Sequence, residues 1–165
     1  RERTAFMKRD PTRALLLIAA LACSGCGTKS SDTSATPAPT DPGGVATISK
    51  YDSGPRAAEA SIDASKVEQG KSLFQTKGCS ACHAFGKRVS CPDLAGVTKR
   101  RTAVWMENQI LHPEVMTKTD PIAHELFAQF SLQMPNQGLT PDEAHAVIEF
   151  FKHTDHEAAE ATSKN

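Results

Sequence analysis

Apolar residues recur at helical spacing in several stretches of this chain, and no valine-rich stretch alternates in the way that a half-buried β-strand does. The first helix is predicted to begin with a capping box at residues 65–68, because a serine there is followed three positions later by a glutamate. Gly70 and Phe74 continue the apolar spacing, and Gly78 ends the helix. This pattern indicates an all-α fold.

Proline, aspartate and threonine mark the helices that follow. A short helix is predicted over residues 102–111 and ends at Pro113. Asp120 and Pro121 supply an N-cap and a first helical residue for the next one. The last helix opens with a second capping box at residues 140–143. Its apolar face is spaced i, i+3, i+4, i+7 and consists of Ala144, Val147, Ile148 and Phe151.

The chain divides by composition into a tether and a folded domain. Residues 23–64 are rich in Ser, Thr, Pro, Gly and Ala and hold almost no large apolar side chain, so we predict a flexible linker. The folded domain is predicted over residues 65–153, and residues 154–165 form a polar C-terminal tail. With 39% hydrophobic and 5% aromatic residues over its whole length, the chain builds only a modest core of its own.

Residues 1–22 combine upstream sequence with an export signal that starts at Met7. A positive segment precedes the short apolar run at residues 14–22, which leads into Cys23 in a lipobox-like sequence. Cys23 is therefore the predicted lipid anchor, with Cys26 as the alternative and simple cleavage with periplasmic release as a third possibility. A net charge of zero gives no reason to expect nucleic acid as a partner, and no apolar run approaches the roughly 20 residues that span a bilayer.

The strongest chemical signal is the sequence C-x-x-C-H, formed by Cys79, Cys82 and His83. Two thiols at this spacing add to the two vinyl groups of one porphyrin, and the adjacent imidazole then ligates its iron. The motif predicts one covalently attached haem c. A thioredoxin-type dithiol is the first alternative, but it needs a βαβ context; a zinc site that includes Cys91 is the second, but it needs another close ligand pair.

Residues 66–153 resemble a class I monohaem cytochrome c. The resemblance is carried by the helix at residues 70–74, the C-x-x-C-H motif, the Pro-Asp-Leu segment at residues 92–94, the Met-Pro pair at residues 134–135 and the closing amphipathic helix. It implies a small helical bundle around one covalent haem, after a disordered N-terminal tether. It also implies that the first helix crosses the last one, with Gly70 and Phe74 facing Ile148 and either Phe150 or Phe151.

His83 is the predicted proximal ligand, because it directly follows the second cysteine. The resemblance implies that the Pro92 carbonyl accepts the other imidazole N–H; the family commonly has glycine before this proline, whereas this chain has Cys91. Met134 is the predicted sixth ligand, because Pro135 and a nearby glycine hold it in a loop between two helices. The other candidates are Met116, Met106, His112, His124 and His145.

Iron held by an imidazole and a thioether has both axial positions filled, which favours one-electron transfer over catalysis. We therefore predict a carrier and not an enzyme, with redox partner proteins of a respiratory chain. It is expected at the periplasmic or outer face of a bacterial cell membrane, passing electrons to nitrous-oxide reductase or a terminal oxidase. The alternative is a haem-based sensor or small-molecule-binding module with a displaceable sixth ligand.

Two further roles concern charged and aromatic residues around the motif. A basic set is expected to surround the exposed haem edge and steer an acidic partner, or else to form an ordinary solvated face. Its members are Lys77, Lys87, Arg88, Lys99, Arg100 and Arg101. By resemblance, the Trp105 indole and Arg100 or Arg101 are candidates to hold a haem propionate.

Overall fold

A computed structural model describes residues 49–164 of the chain. The predicted export signal, the candidate anchors Cys23 and Cys26 and most of the predicted linker lie outside these residues. Within them the structure has helices and no strand, which confirms the all-α prediction. The six α-helices are α1 (Ala64–Thr76), α2 (Val97–Arg100), α3 (Ala103–Leu111), α4 (Pro113–Thr119), α5 (Pro121–Phe130) and α6 (Pro141–Ser163). Two 3-10 turns lie at Ala57–Glu59 and Cys79–Ala81.

Helices α1 and α6 cross with their backbones in close contact at Gly70. A Cβ atom built on Gly70 would lie 1.9 Å from the carbonyl oxygen of Ala146 and 2.9 Å from the Cβ of Phe150. Only a residue without a side chain fits this crossing. The predicted contact between the two helices is therefore present, although Gly70 faces Ala146 and not Ile148.

The N-caps of the later helices agree with the sequence pattern. The hydroxyl of Thr140 accepts a hydrogen bond from the Glu143 N–H, and the Glu143 carboxylate accepts one from the Thr140 N–H. Asp120 caps α5 and Thr102 caps α3. The capping box predicted at residues 65–68 is wrong, because α1 begins at Ala64 and its N-cap is Asp63, two residues before Ser65. The Asp63 carboxylate accepts from the Ser65 N–H at 3.0 Å.

The folded region extends upstream of residue 65, where the linker was predicted to end. The Thr102 hydroxyl donates to the Tyr51 carbonyl at 2.7 Å, and the Ala57 N–H donates to the Arg101 carbonyl at 3.0 Å. Ala57 itself is buried in the core. Composition did not predict that this segment is folded, because its residues are mostly small or polar. Its contacts are mainly hydrogen bonds to Thr102 and to the residues just before it.

The C-terminal residues, predicted to form a polar tail over residues 154–165, are helical as far as Ser163 and mostly exposed. Helix α6 continues to Ser163, and Asp155 is buried within it. The Asp155 carboxylate accepts hydrogen bonds from the N–H groups of Gly96 and Thr98 at 2.6 and 3.0 Å. A charged residue here serves to hold the start of α2 against α6.

Two short helices went undetected in the sequence. Helix α2 has only four residues, and α4 begins at Pro113, which opens a new helix as well as ending the previous one. Met116 of α4 is only 1% exposed and packs in the central apolar cluster. The other buried members of that cluster are Ala57, Phe74, Val97, Trp105, Met106, Ala123, Val147, Ile148 and Phe151.

Among residues 49–164, none of the helices combines the length and the hydropathy of a membrane-spanning segment.

Candidate haem-binding site

The two cysteines of the motif lie in a tight turn directly after α1. Gly78 ends α1 in the left-handed region with φ of 79°, and the 3-10 turn Cys79–Ala81 follows. Both Cys79 and Cys82 are half-buried free thiols. Burial raises the pKa of the Cys79 thiol. The turn thus presents two thiols close together at the surface of the helical bundle.

His83 is fixed by hydrogen bonds on both its backbone and its ring. Its N–H donates to the Cys79 carbonyl at 3.0 Å, and its Nδ1 lies 2.9 Å from the Pro92 carbonyl oxygen. A carbonyl only accepts, so Nδ1 carries the proton and Nε2 keeps a free lone pair. Burial lowers the pKa of His83, while the bond to Pro92 acts in the opposite direction. This is the arrangement of a histidine that ligates a metal through Nε2.

The segment of residues 79–94, called here the cysteine loop, is closed by its own backbone. The Cys91 N–H donates to the Cys82 carbonyl at 3.2 Å, and the Leu94 N–H donates to the Ala84 carbonyl at 2.9 Å. The Asp93 carboxylate also accepts from two backbone N–H groups, those of Gly86 and Ala95, at 2.8 Å each. The loop is therefore a self-contained unit that holds its thiols and imidazole in place.

Cys91 is a buried side chain, 6% exposed, beside the loop's closing bonds. Burial raises the pKa of its thiol, and the neighbouring Cys82 adds to the effect. In the described part of the chain Ser131 is the one residue other than glycine with positive φ. Cysteine at position 91 therefore carries no left-handed strain.

Four phenylalanines form a cluster that joins the cysteine loop to the crossing of α1 and α6. The rings of Phe74, Phe85, Phe150 and Phe151 contact one another with centroids 5.7–6.2 Å apart. The packing of Phe74 on Phe150 and Phe151 is the predicted one. Phe85 was missed, because a single aromatic residue in a loop has no periodic signal; its position two residues after His83 was the only clue.

Met134 lies in the segment of residues 131–140, called here the methionine loop, between α5 and α6. It is half-buried, and Gln109 Nε2 lies 3.7 Å from its sulfur. The competing methionines, Met106 and Met116, are 3% and 1% exposed and belong to the apolar core. Among the methionines described, only Met134 is presented by a loop.

The three histidines considered as alternative ligands lie at the surface. His112 and His124 are exposed, and the ring of His124 bonds to the Thr117 carbonyl at 3.1 Å. His145 is exposed and lies 3.4 Å from a carboxylate oxygen of Glu107. Of the three, only His124 has a ring bonded to a backbone carbonyl, as His83 has, and none of them directly follows the two cysteines of the C-x-x-C-H motif.

The residues present fit a haem held covalently at the cysteine loop. Both thiols are free, and the imidazole has one nitrogen occupied by a carbonyl. The Oε1 atom of Gln109, the residue that contacts Met134, is buried without a hydrogen-bond partner in the described part of the chain. Buried acceptors in folded proteins normally have a hydrogen-bond partner, so an unpaired one beside a thioether indicates a pocket that a non-protein group would fill. The same residues contain no group of three His, Cys, Asp or Glu that would hold a bare metal ion.

The residues considered for a propionate make other contacts. The Trp105 indole N–H donates to the Asp120 carboxylate at 3.0 Å, so the propionate role suggested for it is wrong. Asp120 also accepts a short hydrogen bond from the Ser49 hydroxyl. Arg100 donates to the carbonyls of Ala95 and Asp93 at 2.6 and 3.2 Å, and the Arg101 guanidinium lies against Asp52 and the Trp105 ring.

Comparison with known proteins decides the family. The family model for cytochrome c matches residues 67–155, just over half of the chain. The chain belongs to the cytochrome c family. It therefore carries haem c, covalently attached, and its domain is built for haem-based electron transfer. Domains of this cytochrome c family typically lie outside the cytoplasm in bacteria.

Solved structures of cytochromes c share both the fold and part of the sequence. A cytochrome c from Rhodothermus marinus is 32% identical, with a TM-score of 0.57; the match covers 62% of this chain and 96% of that one. An engineered form of that protein, bound to a carbene intermediate, is 32% identical over 61% of this chain and 96% of its own, with a TM-score of 0.54. The cytochrome c domain of the pp3183 protein from Pseudomonas putida is 33% identical over 57% and 94%, with a TM-score of 0.50. Among proteins of curated function, none matches the chain.

Proposed function

We propose that this cytochrome c is a one-electron carrier whose haem is held by Cys79 and Cys82 and ligated by His83 and Met134. The observation that supports it most is the hydrogen bond between His83 Nδ1 and the Pro92 carbonyl, 2.9 Å long, directly beside two free thiols. A bound haem supplies reversible one-electron chemistry at its iron. The protein's part is to attach, orient and shield it.

Each ligand has a distinct task in this proposal. Cys79 and Cys82 form the two thioether bonds, which keep the cofactor attached through every cycle. His83 binds through Nε2, because Nδ1 is committed to Pro92, and that hydrogen bond makes the imidazole a stronger donor. Met134 contributes a neutral, soft sulfur, which favours the reduced state and raises the potential. With His83 and Met134 both as ligands, a bound haem would offer its iron to no substrate, so we propose a carrier and not an enzyme.

We further propose a location at the periplasmic or outer face of a bacterial cell membrane. The support is the export signal ahead of Cys23 in the sequence, together with a composition that suits a tether. Lipid on Cys23 would hold the domain near the membrane, and the linker would let it reach several partners. Metabolic labelling with a fatty acid, compared between the natural chain and Cys23→Ala and Cys26→Ala variants, identifies the anchored residue or excludes both.

Redox proteins of a respiratory chain are the partners we propose, with nitrous-oxide reductase or a terminal oxidase as acceptor. Lys87 and Arg88 support electrostatic steering, because they are exposed in the cysteine loop beside the proposed attachment site, and Arg88 keeps its charge there with its guanidinium 4.4 Å from the Phe130 ring centroid. Other members of the basic set are engaged: Lys77 lies 3.7 Å from Glu143, and Arg100 is bonded to backbone. Stopped-flow oxidation of the reduced protein by each candidate acceptor, repeated at rising salt, tests the partner. A rate that ignores ionic strength contradicts steering.

The test of the carrier itself is covalent retention with reversible redox cycling. We expect haem to stay on the chain after acid-acetone extraction of the matured protein, and to be lost from the double variant Cys79→Ala with Cys82→Ala. Reduced protein should re-oxidise fully on meeting its acceptor. Extraction of all haem from the natural chain would contradict the proposal.

The alternative function is a haem-based sensor or small-molecule-binding module. It is favoured by the methionine loop, where Met134 is only half-buried. The engineered Rhodothermus protein, whose structure contains a bound carbene intermediate, supports the alternative that a small molecule binds in this kind of domain. A ferric spectrum that changes at once on adding cyanide, or a ferrous spectrum that changes with carbon monoxide, would favour this reading. A carrier with Met134 firmly bound is expected to respond slowly.

A further inference from the structure

Gln109 has a side chain with an unusual set of contacts. It lies on α3, and its amide nitrogen is 3.7 Å from the sulfur of Met134, within hydrogen-bonding range for sulfur. A thioether can only accept, so the amide nitrogen and not the oxygen faces Met134. The amide oxygen is then left buried with no partner, the one such side-chain atom found between residues 49 and 164.

These contacts of Gln109 contribute little to the free energy of folding. A buried acceptor without a partner costs desolvation energy, and an apolar side chain of similar size would avoid that cost. The single hydrogen bond that the amide makes ends on the one methionine presented by a loop. The retained contact therefore points to a role at the sulfur.

A methionine sulfur has two lone pairs, and these can serve different partners. One is available to the iron when the haem is bound, while the other accepts the Gln109 N–H. The hydrogen bond fixes which lone pair remains for the metal and withdraws electron density from the sulfur. Less electron density on the ligand favours the reduced state, because ferric iron depends more on donation than ferrous iron does.

The other amides of the methionine loop hold its backbone and not its sulfur. Asn136 Nδ2 donates to the Leu111 carbonyl at 2.9 Å, and Gln133 Nε2 lies 3.4 Å from the Pro113 carbonyl. Gln133 also contacts the carbonyl of Met134 at 3.1 Å. Gln109 alone among these amides, in the described residues, contacts the thioether.

We propose that Gln109 is a positioning residue for the sixth ligand: its amide holds the Met134 sulfur, raises the reduction potential and slows replacement of the methionine by outside ligands. This inference rests on the proposed ligation by Met134. It assigns a specific task to a residue on a different helix, 25 positions before the methionine in the chain.

The experiment compares Gln109→Leu and Gln109→Asn with the natural holoprotein. Leucine removes the donor with little change in size, and asparagine keeps an amide too short to reach the sulfur. Gln133→Leu is the matched control, because it removes an amide from the methionine loop without touching the sulfur. For each protein the reduction potential, the equilibrium constant for imidazole binding to the ferric form and the thermal midpoint are measured.

For both Gln109 variants we expect a lower potential and about a fivefold higher affinity for imidazole, as loss of one hydrogen bond implies. The thermal midpoint of Gln109→Leu should not fall. Gln133→Leu should keep the potential of the natural protein. Unchanged potential and imidazole affinity in Gln109→Leu would overturn the inference, as would equal shifts in Gln133→Leu, which would indicate general loosening of the loop.

A Met134→Ala variant separates this inference from the proposed function. If Met134→Ala has the same spectrum and potential as the natural protein, the methionine is not a ligand and both proposals fail. If Met134→Ala changes both while Gln109→Leu changes neither, ligation stands and only the role of Gln109 is wrong.

Discussion

The two sides of the proposed haem site are built in different ways. The cysteine loop is closed by backbone hydrogen bonds within residues 79–94, and its histidine bonds to a carbonyl nine residues away. The methionine loop has no backbone-to-backbone hydrogen bond over residues 132–139 of the described chain, and amide side chains hold it instead. His83 is thus fixed by local contacts, and Met134 by contacts with α3 and the start of α4.

This difference indicates how the two ligands should respond to change. A ligand fixed by its own loop keeps its position unless that loop or its packing is broken. A ligand held by separate side chains loses its restraint one contact at a time. We therefore expect graded effects on the distal side and all-or-none effects on the proximal side.

The largest effect is expected from a change at the crossing of α1 and α6, because α1 leads into the cysteine loop and α6 follows the methionine loop. Gly70→Ala places a methyl group 1.9 Å from the Ala146 carbonyl oxygen, so α1 and α6 must separate. We expect a loss of at least about 3 kcal/mol in the free energy of unfolding. Denaturant unfolding measures it. Gly86→Ala is the control: no atom lies within 4 Å of its added Cβ, and only the left-handed backbone costs about 1 kcal/mol. Equal losses in the two variants would contradict this account of the crossing.

The second effect is confined to the proximal side. Phe85→Ala removes a ring that contacts Phe74, Phe150 and Phe151, each with centroids 5.7 Å away. We expect a loss of about 2–3 kcal/mol, below the full cost of a buried ring because Phe85 is half-buried. Thermal unfolding of the holoprotein checks this, with Phe127→Ala, an exposed residue on α5, as the control. A loss no larger than that of the control would show that the cluster does not support the cysteine loop.

The third effect is confined to the distal side. Asn136→Ala removes the bond to the Leu111 carbonyl and also the acceptor for the Gly138 N–H. We expect about 1 kcal/mol of lost stability and faster binding of imidazole to ferric protein, with the spectrum at rest unchanged. Immediate and complete loss of the native spectrum would contradict the graded behaviour expected of this side.

The smallest effect concerns a pair that links the two regions. Glu143 caps α6 after the methionine loop and lies 3.7 Å from Lys77, just before the cysteine loop. The hydrogen bond from the Thr140 N–H, with help from Lys77, lowers the pKa of Glu143. A carboxyl whose pKa is lowered by folding stabilises the protein above its unfolded pKa, and this contribution disappears as the pH falls through the folded pKa.

Glu143→Gln tests this pair, because the amide still accepts the Thr140 hydrogen bond but has no charge. We expect the variant to be slightly less stable than the natural chain at neutral pH, with the difference vanishing in acid. Unfolding curves across the acidic range give the comparison, and Glu68→Gln, at an exposed position of α1, controls for simple loss of charge. A difference that grows as the pH falls would have the wrong sign.

What the sequence predicts well is what short-range contacts determine. The caps at Thr140 and Asp120 involve residues close together in the chain, so motif and spacing were sufficient. The bond between His83 and Pro92 was implied by the family resemblance and is present. The all-α class followed from helical periodicity for the same reason.

What the sequence did not predict depends on contacts between distant residues. Asp and Ser are both good capping residues, so local preference did not distinguish Asp63 from Ser65, whereas the Asp63 N–H donates to the distant Glu149 carboxylate at 2.8 Å. The partner of Trp105 is Asp120, fifteen positions away, and Gln109 has no motif at all. The hydrogen bonds that join Tyr51 and Asp52 to Thr102, the N-cap of α3, are likewise contacts that composition does not reveal.

The central claim is that His83 and Met134 would both ligate the haem iron, and one spectroscopic comparison tests it most directly. Ferric holoprotein is compared with Met134→Ala and with Met116→Leu, a buried core methionine. We predict a weak far-red sulfur-to-iron band in the natural protein and in Met116→Leu. We predict that Met134→Ala loses this band and that its reduction potential falls by more than about 0.1 V. Axial ligands set haem potentials over a range of roughly 0.8 V, so a change of this size is expected. Retention of the band in Met134→Ala, or its loss in Met116→Leu, would contradict the claim.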